Sequence, residues 1–528
     1  MRKLSAVALA GLMAVSAGAC KDFLDVNQNP NAPVTVTANL YLPPMMHWMI
    51  TSPMYDGRFV GRYTQMWMLA TGTSSTPSTW DRMGYDPGSD NGGEMWRDVY
   101  WSLVSNLVTM MNKAAAEQRW DLLGVGYVMK AWGWQVLSDL HGPIIIKEAF
   151  DATRSKFDYD TEQFAYTEVQ RLLDSAVVNL QRTDGAVDRT YLATVDKLYN
   201  GDASKWLKLA YALKAINLNH FSNKSTYNPQ AVIDAVDKSF ASNADDAVFP
   251  FPAASANDDR NFFGPTRGNL PGYRPTLFAV GLMDGTQFGG TVDPRMSRTL
   301  APSRDGVYRG LDNNVGNALS IIVDTMKQPL NLFGYRSTGS PAPGSPGRYL
   351  FTDKAKFPLA TYAEMQFIKA EAALRKGDQA TARQAYINGI TASIDFVNAH
   401  NSDDGQTTTQ ISAADKAAFL ASPNIVPATV TLSHIMSQKY VALWGWGFND
   451  IWLDMRRYHY TDVDPVSGVE VFRGFNIPTN LYGDNGGKPV QRIRPRYNSE
   501  YVWNMDALKV IGGDATDYHT KPLWIPQP

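Results

Sequence analysis

Residues 122–140 read LLGVGYVMKAWGWQVLSDL and carry apolar side chains on almost every side of a helical projection. A helix that is apolar all round is buried on most sides in a globular protein. The segment before it supplies a partner, because its apolar residues recur at alternating steps of four and three. These residues are Trp96, Tyr100, Leu103, Leu107, Met110 and Ala114. This spacing places them on one helical face, and the two segments together predict a helical hairpin.

The same pairing of helical patterns recurs along the chain. Further helices are predicted at residues 161–180, 203–221, 229–240, 362–375, 379–399 and 432–457. Lys376-Gly377-Asp378 separates two of them, and glycine is favoured directly after a helix C-terminus. Residues 40–50 and 59–70 predict two short helices nearer the N-terminus. Repeated hairpins of this size predict a mostly α-helical, tetratricopeptide-like stack, although the strict repeat signature is missing.

Between residues 244 and 353 the helical periodicity disappears. Glycine and proline are frequent there, but aromatic and arginine side chains persist. A long irregular stretch in a compact protein is usually functional or disordered, and the aromatic content argues against disorder. We therefore expect a loop-rich insertion with little β-structure that lies over the helical stack. The predicted organisation is a single domain over residues 40–528 that contains this insertion.

The N-terminus has the features of an export signal. A positively charged start precedes an apolar run, Leu4 to Val15, and small residues then lead to Cys20, the single cysteine of the chain. This order is typical of a secretory signal peptide over residues 1–19, and the run is too short to span a bilayer. The position of Cys20 resembles the lipidated cysteine of bacterial lipoproteins, although Ala17 replaces the usual large aliphatic residue. Residues 20–39 would then form an extended tether, and the alternative is an ordinary signal peptide.

Composition narrows the classes of function. The chain has 528 residues and a formal net charge of −2 at pH 7, which favours neither nucleic acid binding nor a polybasic membrane patch. With Cys20 lipidated, the mature protein has no disulfide and no cysteine metal ligand. The seven histidines are scattered and show no metal-binding spacing. No phosphate-binding glycine loop or serine nucleophile elbow occurs, so we predict that the protein is not an enzyme.

Several acidic turns are candidate sites for catalysis or metal binding. Adjacent acids such as Asp245 and Asp246 are more often solvated turns than a glycosidase pair, whose members usually lie far apart in sequence. Residues 86–94, DPGSDNGGE, could coordinate Ca²⁺, but they do not match the helix-loop-helix calcium spacing. A turn followed by a helix cap at Asn91 and Glu94 is the favoured interpretation. We predict no metal and no cofactor.

Two loop regions combine aromatic rings with planar polar groups, as a site for a glycan or a peptide requires. Sugar C–H faces stack on Trp and Tyr rings, while Arg, Asn and Asp bind hydroxyl or carboxylate groups. The first region contributes Trp80, Asp81, Arg82 and Tyr85. The second region contributes Asn261, Arg267, Asn269, Tyr273 and Arg274. These residues form the predicted ligand-binding set, although each ring taken alone is more often a packing residue.

Six stretches, in order along the chain, carry a family pattern. They are LDVNQNPNAP (24–33), KAWGWQVLSDLHGPIIIKEAF (130–150), DKLYNGDASKWLKLAYALKA (196–215), AEMQFIKAEAALRKG with YINGITASI (363–377 and 386–394), SQKYVALWGWGFNDIWLDMRR (437–457) and RPRYNSEYVWN (494–504). Together they resemble the SusD/RagB-like outer-membrane lipoproteins of Bacteroidetes-type bacteria. The last stretch departs from the family motif at Asn498, where a proline is usual.

The resemblance implies a helical lipoprotein anchored in the outer membrane and facing the cell exterior. Proteins of this family cap a SusC-like TonB-dependent transporter and capture oligosaccharides or peptides for it, on surfaces built from loops over the helices. Lys21 and Asp22 resemble part of a surface-export signal. Two alternatives stay open, namely a helical-repeat envelope scaffold that binds no nutrient and a surface glycan hydrolase. The sequence does not distinguish a neutral glycan, a charged glycan and a peptide as the ligand.

Overall fold

The structure is a computed structural model that describes residues 36–70, 74–254, 257–335, 348–405 and 409–528. The predicted signal peptide, Cys20 and most of the tether lie outside the described residues. Within them the chain is mostly α-helical with few strands, which confirms the predicted fold class. None of the helices in these ranges combines the length and the apolar character that crossing a membrane requires.

The α-helices follow one another along the described chain with irregular segments between them. In chain order they are α1 (Leu42–Tyr63), α2 (Glu94–Arg97), α3 (Ser105–Ala116), α4 (Trp120–His141), α5 (Glu162–Leu180), α6 (Arg189–Ala193), α7 (Ala203–His220), α8 (Pro229–Lys238), α9 (Leu277–Gly281), α10 (Met296–Thr299), α11 (Tyr362–Lys376), α12 (Gln379–His400), α13 (Ala413–Ala421), α14 (Leu432–Leu443), α15 (Phe448–Arg457) and α16 (Met505–Val510). The described chain also contains two π-helical turns, Asp98–Val104 between α2 and α3 and Tyr497–Tyr501 before α16.

The long helices pack as a continuous stack. Helix α4 lies between α3 and α5, helix α7 between α5 and α8, and helix α11 between α8 and α12. The sequence 122–140 falls within α4, and most of its side chains are buried, as its all-round apolar pattern predicts. The succession of paired helices is the tetratricopeptide-like arrangement expected from the sequence.

Side-chain caps place the starts of these helices. A side-chain oxygen accepts a hydrogen bond from a backbone N–H of the first turn in each case, at Thr161 for α5, Asp202 for α7, Asn228 for α8, Thr361 for α11 and Asp378 for α12. Each such cap stabilises a helix by about 1 kcal/mol. Gly377 ends α11 with φ +84°, a conformation that glycine adopts without steric cost. For these five helices the predicted boundaries agree with the structure to within a few residues.

Four short strands fasten the insertion to the helical body. They are β1 (Trp67–Leu69), β2 (Ala247–Phe249), β3 (Tyr273–Pro275) and β4 (Phe357–Ala360). Strand β1 pairs antiparallel with β3, and β2 pairs antiparallel with β4. Because β1 follows α1 and β4 precedes α11, the two strands of the insertion, β2 and β3, pair with strands of the body. Strands β2 and β3 are the little β-structure predicted in residues 244–353, and they attach the insertion to the helical body.

Three predicted helices are wrong in their extent. Residues 40–50 and 59–70 do not form separate helices, because α1 runs through Pro53 to Tyr63 and β1 follows it. Gln65 has φ +54°, which ends the helical path, and the pairing with β3 then outweighs the local apolar periodicity. Residues 432–457 form two helices instead of one, since Gly445 between α14 and α15 has φ +91°.

A single large cluster of buried apolar side chains runs through the stack and into the insertion. Aromatic rings of the insertion join it, as Phe263 packs edge-on against Trp67 and Phe351 against Trp444. Many of the aromatic residues of the insertion are therefore packing residues.

The division of the chain into a signal peptide (1–19), a tether (20–39) and a single domain (40–528) stays a prediction.

Candidate ligand-binding site

Two adjoining cavities lie beside the two π-helical turns. The first, about 200 Å³, is lined by the loop before α2 and by residues 492–497, and is called the loop cavity below. The second, about 560 Å³, is lined by residues of both π-helical turns and of the connection between α4 and α5, and is called the apolar cavity. Arg496 lines both cavities. A π-turn widens a helix locally, and such turns are frequent at functional sites.

The walls of the apolar cavity are mainly aromatic and aliphatic. They are formed by Trp96, Tyr100, Trp101, Ile145, Ala149 and Phe157. Trp96 is buried at 2% exposure, whereas Trp101 on the first π-turn is 73% exposed. Trp503 is equally exposed, at 74%, but lines neither cavity, so it is the position beside a cavity that makes Trp101 a candidate contact residue. Trp101 therefore presents a free ring face at the mouth of an apolar cavity.

Side-chain to backbone hydrogen bonds hold these walls together. The Tyr100 hydroxyl donates to the Ile145 carbonyl at 2.9 Å and accepts from the Ile145 N–H at 2.8 Å. The Asn504 amide bonds the backbone of Phe157 in the same two-fold way, at 2.9 and 3.1 Å. Tyr100 and Asn504, which are far apart in sequence, thus each hold one part of the α4–α5 connection by two hydrogen bonds. The cavity is a preformed feature of the fold, as binding pockets usually are.

The polar edge of the apolar cavity contains hydrogen-bonding groups without a partner. Arg496 pairs through Nη2 with Asp90 at 2.5 Å, but within the described chain its buried Nε–H has no hydrogen-bond acceptor. The buried Ser499 Oγ likewise has no partner among the described residues. A buried polar group that is left unpaired costs about 1–3 kcal/mol. Both groups belong to residues that line the apolar cavity, and a ligand acceptor that reaches them would remove this cost.

The one carboxylate that lines the apolar cavity in the described chain is already engaged. Glu500 is 5% exposed, and its Oε2 accepts from the Tyr159 hydroxyl at 2.6 Å and from the Asn504 amide at 3.0 Å. On the opposite rim, Arg97 is paired with Glu94 at 2.6 Å. The two arginines of the cavity are thus paired with acids, whereas the hydrogen-bond partners of the Glu500 carboxylate described here are neutral, so the cavity does not favour an anionic ligand.

The loop cavity is polar and changes little in charge near neutral pH. Burial, together with a 2.8 Å hydrogen bond to Asp484, raises the pKa of Tyr85 to about 12. Burial, and secondarily the neighbouring Arg494, lowers the pKa of His519 to about 4. The Arg494 guanidinium lies 4.6 Å from the centre of the Tyr85 ring. Both titratable rings are consequently neutral at pH 7.

The first predicted loop region lies largely under the surface. Trp80 is buried, stacks on Tyr63 with ring centres 5.2 Å apart, and donates from Nε1 to Asp86 at 2.8 Å. Asp81 is buried in an ion pair with Arg62. The remaining two predicted residues, Arg82 and Tyr85, lie nearer the surface.

Arg82 and Tyr85 contact the C-terminal part of the chain. The Arg82 guanidinium donates to the backbone carbonyls of Asn480 and Leu481, both at 2.9 Å, and thereby fastens that segment. Tyr85 and the buried Trp80 line the loop cavity. Of the first predicted region, these two residues are the ones the structure brings to a cavity.

The second predicted region is built into the insertion and lines neither cavity. Asn261 is buried and donates to the carbonyls of Leu350 and Thr352 at 2.8 and 2.9 Å. Arg274 is also buried and donates to the carbonyls of Pro271 and Pro329. These bonds tie the turns of the insertion together.

The other three residues of this region also have partners inside the fold. Arg267 pairs with Asp258 at 3.0 Å, Asn269 donates to the Phe262 carbonyl at 2.9 Å, and Tyr273 lies buried in β3. Tyr273 and Asp81 both neighbour Arg62, so the two predicted regions meet in the interior. As ligand-binding residues, all nine predicted residues stay a prediction.

The residues at the mouth and polar edge of the apolar cavity are absent from the ligand-binding set predicted from the sequence. Trp101 had a visible signal, because it follows Tyr100 directly and so falls off the apolar face of its helix. Single large apolar side chains on polar helix faces are common, however, so this signal did not identify a site by itself. Arg496 and Ser499 had no such signal beyond their place in the motif RPRYNSEYVWN, since their approach to Trp101 depends on the fold.

The oxygen-rich turn at residues 86–94 is occupied by protein contacts. Asp86 accepts from the Trp80 indole and the Asn91 amide, each at 2.8 Å. The predicted cap at Asn91 and Glu94 is wrong, because Asp56 of α1 accepts from the backbone N–H groups of Glu94 and Met95 instead. In the described part of the chain no group of three or more His, Cys, Asp or Glu side chains is placed to hold a metal ion. The absence of a metal and of a cofactor stays a prediction.

Comparisons with known proteins agree with the fold. A SusD-like family profile, described as starch-binding and associating with the outer membrane, matches residues 30–478. A SusD/RagB family protein of Bacteroides thetaiotaomicron is 23% identical, with a TM-score of 0.68 over 93% of this chain and 99% of the other. A SusD homologue of Bacteroides fragilis is 20% identical, with a TM-score of 0.68 over 93% and 100%.

A third solved structure is described by its ligand. It is a chitin-binding SusD homologue of Flavobacterium johnsoniae, 20% identical, with a TM-score of 0.66 over 93% of this chain and 97% of the other. At these identities the likeness is one of fold. No curated protein matches the chain. The family profile, however, covers most of the sequence, and the chain therefore belongs to the SusD-like family of starch-binding proteins that associate with the outer membrane.

Proposed function

We propose that the protein is a lipid-anchored surface protein that captures an oligosaccharide and passes it to a TonB-dependent outer-membrane transporter. The observation that carries the capture step is the exposed Trp101 ring beside a cavity whose edge holds unpaired Arg496 Nε and Ser499 Oγ groups. Sugars are bound by stacking of their C–H faces on such rings and by hydrogen bonds from planar polar groups. Membership of a starch-binding family supports this assignment.

The proposed task is binding without bond cleavage. A glycoside hydrolase needs two carboxyl groups that flank the scissile bond. Of the described residues that line the apolar cavity, Glu500 is the one acid, and its Oε2 atom is committed to Tyr159 and Asn504. This arrangement supports a capture role, in which the protein binds the oligosaccharide and releases it unchanged.

Replacement of Trp101 tests the site. Trp101→Ala removes the stacking ring and should weaken oligosaccharide binding about tenfold, measured by calorimetry with starch, chitin and plant-glycan oligosaccharides. Trp503→Ala is the matched control, because Trp503 is equally exposed at 74% but lines neither cavity. An equal loss in both variants would place the site elsewhere, and a wild-type protein that binds only peptides would refute the oligosaccharide assignment.

Anchoring and delivery are tested on the full chain in cells. Cys20, which lies outside the described residues, is the proposed lipidation site, so Cys20→Ser should move the protein from the outer-membrane fraction to the supernatant or periplasm. The wild-type protein should be accessible to protease on intact cells and should co-purify with a TonB-dependent barrel. Retention of the Ser variant in the membrane contradicts the lipid anchor. Failure to recover any barrel contradicts the delivery step.

A further inference from the structure

We infer that the apolar cavity selects a sugar that carries an acetamido group, with the acetyl methyl against the apolar wall and the carbonyl oxygen at Arg496 and Ser499. The inference rests on the proposed function and names the ligand class of the same site. It follows from three properties of the cavity, namely its wall, its unpaired groups and its charges.

The wall is too apolar for a plain hexose. Trp96, Ile145, Ala149 and Phe157 offer no side-chain acceptor, and the Tyr100 hydroxyl is already used twice on the Ile145 backbone. A glucosyl unit carries hydroxyl groups on most of its carbons, and burying them against such a wall leaves them without hydrogen bonds, at a cost in affinity. A methyl group in the same place loses no hydrogen bond and gains the free energy of apolar burial.

The unpaired groups at the edge match an amide carbonyl. Arg496 Nε can only donate, the Ser499 hydroxyl can donate, and both are buried without a partner among the described residues. A carbonyl oxygen has two lone pairs and can accept from both at once. The two residues are three positions apart in the chain and line the same cavity. An acetamido group supplies this acceptor directly beside a methyl group.

The charges around the cavity disfavour an acidic sugar. Arg496 is held by Asp90, and Arg97 by Glu94. A uronic carboxylate would face the Glu500 carboxylate, which lines the same cavity, and like charges at close range repel. A uronic acid would have to displace Asp90, which also accepts two hydrogen bonds from Asn498, at 2.9 and 2.7 Å. A neutral acetamido group avoids both costs.

The test uses sugars that differ at a single position. N-acetylglucosamine, glucosamine and glucose are compared as free sugars and as β-1,4-linked tetramers, with maltotetraose added as a starch-type ligand. Calorimetry and saturation-transfer NMR should show the acetylated tetramer binding about tenfold tighter than the glucose tetramer. The amino tetramer lacks both the methyl group and the carbonyl acceptor, so it should also bind more weakly than the acetylated tetramer, and the acetyl methyl protons should receive the strongest saturation transfer.

Two variants address the placement of the acetamido group. Ser499→Ala removes one donor and should lower affinity for the acetylated tetramer about fivefold, without changing that for the other sugars. Ala149→Leu fills the apolar wall and should abolish the preference for the acetylated tetramer. Ser175→Ala, on the exposed face of α5, is the matched control. Circular dichroism and thermal melting confirm that each variant is folded.

The outcomes separate the inference from the proposed function. Equal affinity for the acetylated and the glucose tetramers, or binding of maltotetraose alone, overturns the inference and leaves the oligosaccharide function standing. Binding of none of the sugars by the folded wild-type protein overturns both. An acetyl preference that survives in both Ser499→Ala and Ala149→Leu overturns the placement of the acetamido group in this cavity.

Discussion

At the scale of single residues, the ion pair between Arg62 and Asp81 shows how a polar loop is drawn into the interior. The guanidinium donates to both carboxylate oxygens, from Nε at 2.7 Å and from Nη2 at 2.9 Å. The two side chains are 2% and 0% exposed. Asp81 Oδ2 also accepts a hydrogen bond from the Leu69 N–H, at 3.4 Å. The ion pair therefore links α1, the 79–82 turn and β1. Asp81 thus has a structural role that accounts for its burial.

The Arg62–Asp81 pair should matter for stability. Asp81→Ala leaves an unpaired buried guanidinium, and breaking a buried pair in this way typically lowers the free energy of unfolding by about 3–5 kcal/mol. Urea denaturation measures this change. Asp258→Ala is the matched control, because Asp258 pairs with Arg267 but is 87% exposed, and its removal should change stability by about 0.5 kcal/mol or less. Similar losses in both variants would show that the burial of Asp81 adds nothing.

At the scale of elements, the approach of α1 to α15 depends on a missing side chain. The ring of Phe448 lies only 2.3 Å from the position that a Cβ atom on Gly57 would take. Phe448 is fully buried, so its ring has no free space into which it can move. Gly57 is unfavourable for the helix itself, but it allows α15 to lie close against α1.

Gly57→Ala should therefore destabilise the protein although alanine is the better helix former. Overpacking of this kind costs about 1–3 kcal/mol, and the expected result is a lower melting temperature. Gly281→Ala in α9 is the matched control, because the atoms nearest to its added Cβ lie 3.9 Å away. That variant should be neutral or more stable by up to about 1 kcal/mol. A stabilised Gly57→Ala protein would refute the close approach of the two helices.

At the scale of the whole molecule, a buried polar network joins helices from distant parts of the chain. Glu371 of α11 accepts from the Arg457 guanidinium at 2.7 and 2.9 Å, from the Tyr458 hydroxyl at 2.5 Å and from the Asn219 amide of α7 at 2.8 Å. Arg457 also pairs with Asp454 at 2.6 Å. Burial alone would raise the pKa of the Glu371 carboxyl, but the arginine and hydroxyl donors outweigh it and hold that pKa below its usual 4.5.

This network predicts a loss of stability in acid. Because the pKa of Glu371 is lower in the folded than in the unfolded chain, its stabilising contribution is present above pH 4.5 and disappears as the pH falls towards the folded-state pKa. Glu371→Gln removes that contribution. Urea denaturation from pH 3 to 7 should show the wild type more stable than the variant at pH 7, with the difference shrinking below pH 4.5. A constant difference across this range would contradict the prediction.

Much of the helical body could be predicted because its signals are local. Thr361 caps α11 and Gly377 ends it through contacts within a few residues, and the apolar periodicity of α4 is visible in one stretch of sequence. Strand β1 could not be predicted in this way, because its pairing partner Tyr273–Pro275 lies far along the chain. The cap of α2 was missed for the same reason, since its acceptor is Asp56 on another helix.

The candidate site shows the same distinction between local signals and tertiary contacts. The sequence by itself determined the helical stack, the family pattern and the presence of ring-rich loops, because hydrogen bonds within helices and side-chain periodicity extend over only a few residues. Only the tertiary structure decided that Trp80 and Asp81 are buried while Trp101 is exposed. Burial depends on which distant segments pack against a residue, and the meeting of Trp101 with Arg496 and Ser499 is a product of that packing.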